Sequence, residues 1–353
     1  MAEKIRLADG GGGEATAELI QRVFWSRLQY PELLKGNDAS ILELTNHLPD
    51  ASDPHSAVGL SAQSRIAVTT DSFVVTPWRF PGGDIGKLAI CGTVNDLTMM
   101  GAETLGLTAG FILEEGFLVS DLELIVQSLA DTASEAGIKI VAGDTKVVNK
   151  GAADGVYINT TGIGLVASTI HLGGELARPG DQVIVTGSIG DHGAAILLAR
   201  GELGIYGQLE SDVAPLNKML KPAIQQLASH IRVMRDPTRG GLATTLNEIA
   251  KQSAVSIRLE EERICVKPQV EGITGLLGLD PLYLANEGKA IIICDQSISE
   301  ELLGLLHHNP LGREAAVIGQ VISGKPGLVS IRTKIGGERI LPMGSGEQLP
   351  RIC

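Results

Sequence analysis

The sequence predicts a two-domain α/β (α+β) protein with a flexible C-terminal tail. Three observations carry that reading. Strand-like and helix-like segments alternate through both halves, a Pro-Gly turn with a fresh strand behind it divides them, and all periodicity stops after Leu341. At 353 residues the chain is too long for one small domain and comfortable for two. Its hydrophobic fraction of 44% can fill substantial cores, which are aliphatic and alanine-rich because aromatics make up only 3%.

The expected elements follow in order. Gly10 to Gly13 run into a helix whose apolar face is Leu19, Ile20, Val23, Phe24 and Leu28. A glycine run ahead of a helix offers backbone N–H groups to an anion; by itself it reads as a flexible arm. Arg65 to Val75 reads as a strand, the turn Pro81-Gly82-Gly83 leads to a helix from Asp84 to about Met100, and Thr104 to Leu113 is again strand-like. Ser120 and Glu123 form a capping box for a helix that Gly137 ends. Ile138 to Ala142 and Val156 to Val166 are further strands. The turn LARPGD, Leu176 to Asp181, opens the second half: a strand at Gln182 to Thr186, helices at about His192 to Arg200, Pro215 to Ser229 and after Gly241, and strands at Ala254 to Leu259, Ala290 to Cys294 and Ala316 to Ile322. A hairpin turns at Gly336-Gly337. The units are therefore residues 1–36, a glycine-rich loop and helix; 37–172, the N-terminal domain; 173–338, the C-terminal α/β domain; and 339–353, a mobile tail.

Charge and cysteine usage narrow the function classes. A formal charge of -12 without a basic cluster argues against nucleic acid, whose phosphates need gathered Lys and Arg. No apolar run reaches membrane-spanning length, and MAEKIRLADGGGG lacks the apolar core of a signal peptide. Cys91, Cys265, Cys294 and Cys353 are too scattered for a disulfide framework or a CxxC metal site, which points to a reducing cytoplasm.

Carboxylates recur beside glycine, threonine and basic residues. Asp71 ends a strand, Asn95-Asp96 lies on the next helix, Asp144 follows another strand, Asp236 sits in RDPTRGG and Glu287 in ANEGK. Magnesium prefers oxygen ligands together with substrate phosphates, and acids at strand ends converge on one edge of a sheet. Thr145, Lys146, Thr238, Arg239 and Gly240-Gly241 suit phosphate oxygens. Any one of these acids alone is an ordinary solvated turn; the set points to a site. Gly86-Lys87 is not a P-loop, because Leu88 stands where Ser or Thr is needed, and Gly162 to Ala167 lacks the helix a dinucleotide fingerprint requires. His307-His308 reads as a solvated helix end rather than a metal pair.

Cys353 closes the sequence after a stretch rich in glycine and proline. An extended tail from Ile340 reaches at most ~40 Å, and a free thiol is intrinsically nucleophilic. Position suggests a carrier arm.

Together these residues resemble the HypE family of hydrogenase maturation proteins, within a superfamily of aminoimidazole ribonucleotide synthetase, selenophosphate synthetase and thiamine-monophosphate kinase. TTDSFVV, GTVNDLTMMGA, AGDTKVV, RDPTRGGL and NEGK look like its ATP and metal segments, and PRIC, Pro350 to Cys353, is similar to the family's ending. The resemblance implies a two-domain aminoimidazole ribonucleotide synthetase-like fold, with residues 37–172 as the ATP-binding and dimerisation domain of a homodimer. It implies ATP-dependent dehydration of a carbamoyl group on Cys353 to a thiocyanate, with HypF loading the carbamoyl group and HypC and HypD passing cyanide to the iron of a NiFe hydrogenase. ATP and Mg2+ are the implied cofactors. Gly11, Gly12, Gly13, Asp71, Asn95, Asp96, Asp144, Thr145, Asp236, Thr238 and Arg239 would bind nucleotide and metal, with Asp71, Asp96 and Asp144 on the metal. Lys146 and Glu287 would act beside Cys353 in proton removal and charge stabilisation. Competing expectations are a superfamily kinase or synthetase acting on a free substrate, and a non-catalytic nucleotide-binding assembly factor. Cys91 as the first cysteine speaks against a selenophosphate synthetase, and residues 47–60 match no motif.

Overall fold

In-and-out alternation along residues 65–73 and 156–166 buries one face of a sheet and leaves the other open. The computed structural model describes residues 5, 7–10, 13–43, 65–201, 204, 207–344 and 351–353; Gly11, Gly12, residues 47–60 and Pro350 lie outside that set. The first half contains α1 (Gly13–Leu19), which continues as a wider helical turn over Ile20–Trp25, then α2 (Pro31–Leu34), β1 (Ser40–Glu43), β2 (Arg65–Phe73), β3 (Arg79–Phe80), β4 (Gly83–Asp84), α3 (Ile85–Met99), β5 (Glu103–Glu114), α4 (Val119–Ala136), β6 (Ile140–Val148) and β7 (Val156–Val166). Five strands form one sheet in the order β1-β2-β7-β5-β6, antiparallel except for the β5–β6 pair.

Helix α3 is apolar on nearly all sides and is accordingly buried except at Lys87 and Asp96. It starts where the Asp84 carboxylate accepts from Gly86 N (2.8 Å) and Lys87 N (3.0 Å). One face packs on the N-terminal sheet, and Met99 joins the core of the second half.

The second half contains β8 (Gln182–Val185), α5 (Asp191–Arg200), α6 (Asn217–Leu227), β9 (Ile231–Arg235), α7 (Gly241–Gln252), β10 (Ser256–Glu260), α8 (Pro268–Leu277), β11 (Ile291–Cys294), α9 (Ser299–His307), β12 (Ala316–Ile322), β13 (Leu328–Arg332) and β14 (Glu338–Ile340). Its seven-stranded sheet runs β14-β13-β10-β12-β8-β11-β9. Helices α6 and α9 share a core with Ile184, Ile292 and Met234 on one face, and α7 packs with Val185, Val233 and Ile293 on the other. Uninterrupted apolar strands such as IIIC in β11 are what a sheet covered on both faces requires.

Three expectations are corrected. Helix α4 begins at Val119 after Leu118, with no side-chain cap, so Ser120 lies inside the first turn rather than at the N-cap. Strand β6 continues through Val148, so Asp144 is in mid-strand rather than beyond a strand end, because β5 pairs with it over its whole length. The C-terminal segment is not free from residue 339: β14 pairs with β13 to Ile340, Leu341 is buried, and residues 351–353 are docked. Helix α8 went unassigned from the sequence, and of α9 only the end at His307-His308 was read.

Candidate active site

Four chain segments converge where the two halves meet. Asp38 precedes β1, Asp71 lies on β2, Asp96 on α3, and Asp236 follows β9. Carboxylate oxygens of Asp38, Asp96 and Asp236 lie within 4.8 Å of one another. Thr69 Oγ1 donates to Asp96 Oδ2 (2.7 Å) and to Asp38 O (3.0 Å), while Asp71 acts on Asp96 as a neighbouring like charge. Arg235 pairs with Asp38 (2.5 Å) and with Glu248 (3.1 Å), tying residue 38 to β9.

Too many acids are gathered for the cations present. Burial, then the neighbouring carboxylates, hold Asp96 well above the usual carboxylate range. Burial raises Asp38 against the opposing pull of Arg235, and raises Asp71 against that of Arg239. Asp236 is pushed up to about 6 by burial, again against Arg235. Asp38 Oδ2 is buried with no hydrogen-bond partner among the described residues. An all-oxygen donor set with an orphaned lone pair suits a hard divalent cation of the magnesium kind.

The turn after β9 is built by glycines. Gly240 and Gly241 have φ of +77° and +61°, and a Cβ on Gly241 would stand 2.7 Å from Leu282 O. The turn presents Thr238 and Arg239, and Arg239 Nη1 donates to Gly10 O (3.2 Å). Gly13, at the start of α1, has φ of +75°, and Glu14 N donates to Gly344 O (3.0 Å).

Residues 351–353 enter this site along the chain that follows β2. Val74 N donates to Cys353 O (3.0 Å) and Thr76 N to Arg351 O (3.3 Å), in the pattern of an added strand. Arg351 Nε donates to Val74 O (2.9 Å), its guanidinium pairs with Asp154, and it stacks over Tyr157. Ile352 is 5% exposed among Phe73, Val75, Phe80 and Ile196. Burial pushes the Cys353 thiol up to about 12 against the pull of Arg239, with Glu287, Asp71 and Asp236 the acids that face it.

Glu287 is 3% exposed, and burial, then Asp236, raises its carboxyl well above the usual range. Its backbone is fixed by Asp212, which accepts from Glu287 N (3.1 Å) and Gly288 N (3.2 Å), while Glu287 Oε1 is left without a partner among the described residues. A desolvated carboxyl facing the thiol is what a proton acceptor near neutral pH requires.

The other expected residues divide clearly. Asn95 is buried as a clamp between the halves, donating to Ala214 O (3.1 Å) and accepting from Leu216 N (2.8 Å), so its amide is committed to structure. Asp144 and Lys146 pair with each other and are 69% and 68% exposed. Asp71, Thr160, Ala109 and Gly143 share one row across the sheet. Strand alternation therefore puts Asp144 and Lys146 on the opposite face, three strand spacings (~14 Å) from Asp71, and Thr145 on the exposed edge strand. The single chain does not bring them to the acid cluster. Asp38, Arg235, Asp212 and His192 were not singled out from the sequence; a lone Asp ahead of a four-residue strand carries no signal of its own.

The chain is similar over most of its length to known proteins. The family described as AIR synthase related protein, N-terminal domain, matches residues 52–166, and its C-terminal domain counterpart matches residues 178–331. A relative from Cupriavidus necator named carbamoyl dehydratase HypE is 47% identical over 350 residues, 99% of this chain and 95% of that protein. A HypE–HypF complex contains a chain with TM-score 0.83 and 44% identity, covering 92% of this chain and 99% of that one. The maturation protein HypE in complex with ATP matches with TM-score 0.78 and 44% identity, covering 99% of this chain and 100% of that one. Among the described residues no helix is long and apolar enough to cross a membrane.

Proposed function

The chain belongs to the HypE carbamoyl dehydratase family, and from that premise we propose that it uses ATP to dehydrate a carbamoyl group carried on Cys353 to a thiocyanate. The observation that carries the reading is the docking of Arg351 to Cys353 against Val74 to Thr76, where the charges of Arg239 and Glu287 act on the Cys353 thiol.

The chemistry balances as follows. The carbamoyl oxygen of Cys353–S–C(=O)NH2 attacks the γ-phosphorus of ATP, ADP leaves, and one nitrogen proton is lost. The resulting S–C(=NH)–O-phosphate then loses its second nitrogen proton as the C–O bond breaks, giving S–C≡N and phosphate. Amide oxygen is a poor leaving group and phosphate a good one, so phosphoryl transfer supplies the activation. Catalysis of such transfer is mainly positioning and charge neutralisation. Asp38, Asp96 and Asp236 would hold magnesium, which when bound neutralises phosphate charge; Asp71 supports them. Arg239, with Thr238 and the glycine loop, faces the transferred phosphoryl group. Glu287 takes the nitrogen proton.

A thiol held near pKa 12 is a poor nucleophile, so the carbamoyl group is loaded with the tail undocked, by a carbamoyltransferase of the HypF kind. The neutral carbamoyl adduct then docks without an ionisation cost. The thiocyanate is handed to a HypC–HypD complex for a NiFe centre, and the free cysteines suit a reducing cytoplasm.

Asp144, Thr145 and Lys146 join the site through a homodimer. The open sheet face carries Ile112 and Ile163 exposed and ends at the edge strand β6, and such a face calls for a second sheet. A second copy seated there covers Asp144 and Lys146.

Intact mass after incubation with the carbamoyltransferase, carbamoyl phosphate and ATP–magnesium tests the proposal. The expected result is a carbamoyl adduct on Cys353 that loses one water in an ATP-dependent step. No adduct with a demonstrably active partner overturns it.

A further inference from the structure

Three successive tail carbonyls are gripped. Arg351 O accepts from Thr76 N (3.3 Å) and Arg200 Nη2 (2.9 Å), Cys353 O from Val74 N (3.0 Å), and Ile352 O from His192 Nε2 (2.7 Å). The amides of Val74 and Thr76 belong to the backbone. Arg200 also bonds Thr76 O (3.0 Å), so it serves the scaffold as well as the tail. His192 is the side chain that holds the residue adjacent to Cys353.

His192 sits in the first turn of α5, fully buried, with the Phe80 ring edge-on at 5.5 Å. Its hydrogen bonds fix its tautomer. Val213 N donates to Ser211 Oγ (3.1 Å), Ser211 Oγ–H is then free to donate to His192 Nδ1 (2.8 Å), and the Nε2–H must point at the Ile352 carbonyl, which can only accept. Burial also holds the ring below its ordinary pKa, in keeping with a neutral imidazole. A buried histidine with both nitrogens bonded is often only a satisfied core residue. Two observations separate this one. Its acceptor lies on the segment bearing the reacting cysteine, and Ser211 precedes Asp212, whose carboxylate fixes the Glu287 and Gly288 amides. Residues 211 and 212 therefore hold the tail through His192 and the proton acceptor through its backbone. Gly193 lets α5 approach the segment before Glu287, since a Cβ there would stand 3.0 Å from Leu284 Cβ and 3.2 Å from Ala285 N.

We propose that His192, oriented by Ser211, is a positioning residue: its Nε2–H registers the Ile352 carbonyl and so sets the Cys353 substituent against Glu287. This rests on the dehydratase reading for its consequence in turnover, but the grip itself can be measured without any turnover. Full-length wild type, His192→Ala, His192→Gln and Ser211→Ala are treated with iodoacetamide, and alkylation of Cys353 is mapped by mass against the half-buried Cys265 as internal reference. The same proteins, loaded with a carbamoyl group, are followed through one ATP-dependent turnover.

His192→Ala is expected to raise the Cys353-to-Cys265 alkylation ratio about tenfold, the worth of one buried hydrogen bond, and to slow thiocyanate formation by a similar factor. His192→Gln, whose amide still donates, restores both, and Ser211→Ala falls between them. Should His192→Ala not fold, Ser211→Ala carries the same reading in a ring left in place. An unchanged ratio and rate in His192→Ala overturns the proposal. So does a His192→Gln protein as slow as His192→Ala with Cys353 still protected in both, which would leave His192 a packing residue. A wild type that never converts its adduct defeats the dehydratase reading, while the alkylation ratio still judges the grip.

Discussion

The acid cluster and the edge strand β6 contain the same kinds of residue and behave in opposite ways. Asp96 is half-buried among acids, and desolvation there lifts its carboxyl well above the usual range. Asp144 lies in the open beside Lys146, whose hydrogen bond lowers its pKa. In sequence Asp96 reads as lying on a helix and Asp144 as following a strand, and both look like metal ligands. The difference teaches that a carboxylate is made chemically useful by desolvation and by the company of other acids, not by its place after a strand.

The largest effect should come from Glu287→Gln, which keeps the shape and removes the proposed proton acceptor. Single-turnover thiocyanate formation is expected to fall by about 10²–10⁴-fold with carbamoyl loading intact. A smaller loss would move proton removal away from the buried cluster. Asp96→Asn is expected to cost on the order of 10²-fold in the ATP–magnesium step, and Asp144→Asn much less, in the same assay. Equal losses would put the open strand on the same footing as the cluster.

The pH profile of Cys353 sharpens the contrast between docked and open groups. A thiol near 12 stays protonated through the range where an ordinary thiol ionises. Iodoacetamide labelling of Cys353 should therefore climb without a plateau up to about pH 10. Ile352→Asp, which expels the tail from its apolar pocket, should give a plateau near 8.5–9 and roughly tenfold faster labelling at about pH 8.

The open face is tested by Ile112→Arg, which should convert a dimer to a monomer in sedimentation. Lys146→Ala is expected to slow turnover about tenfold, and the double variant no further, because both act through the covered face. Additive losses would separate Lys146 from the dimer. The smallest effect concerns His192. Its folded pKa is depressed by burial, so the unfolded chain protonates it first as pH falls through about 6.5, and wild type loses stability that His192→Gln keeps. The gap in melting temperature between the two should narrow between about pH 7.5 and 5; a constant gap would count against a neutral, buried ring.

Much of the fold was legible. Strand β12 runs from Ala316 to Ile322 as periodicity indicated, β7 likewise, and the helix after Gly240-Gly241 begins where the glycines allow. Asp71, Asp96, Asp236, Arg239 and Glu287 were visible because each sits beside glycine or threonine in a short motif, and they do converge. Asp38 was not visible, because nothing within its own few residues announces it; its ion pair with Arg235 spans two domains. Asp144 was misjudged through its backbone, since a strand end and a mid-strand position differ only in what lies alongside.

The sequence by itself determined the elements, the two-domain division and the motif residues, since these depend on local backbone preference and on the period of apolar side chains. Only the tertiary structure decided which acids are desolvated, which face of a sheet Asp144 and Lys146 occupy, and that Arg351 to Cys353 dock against Val74 to Thr76. Those outcomes rest on contacts between residues far apart in the chain, such as Ile352 with His192, and no local pattern encodes a hydrogen bond across 160 positions.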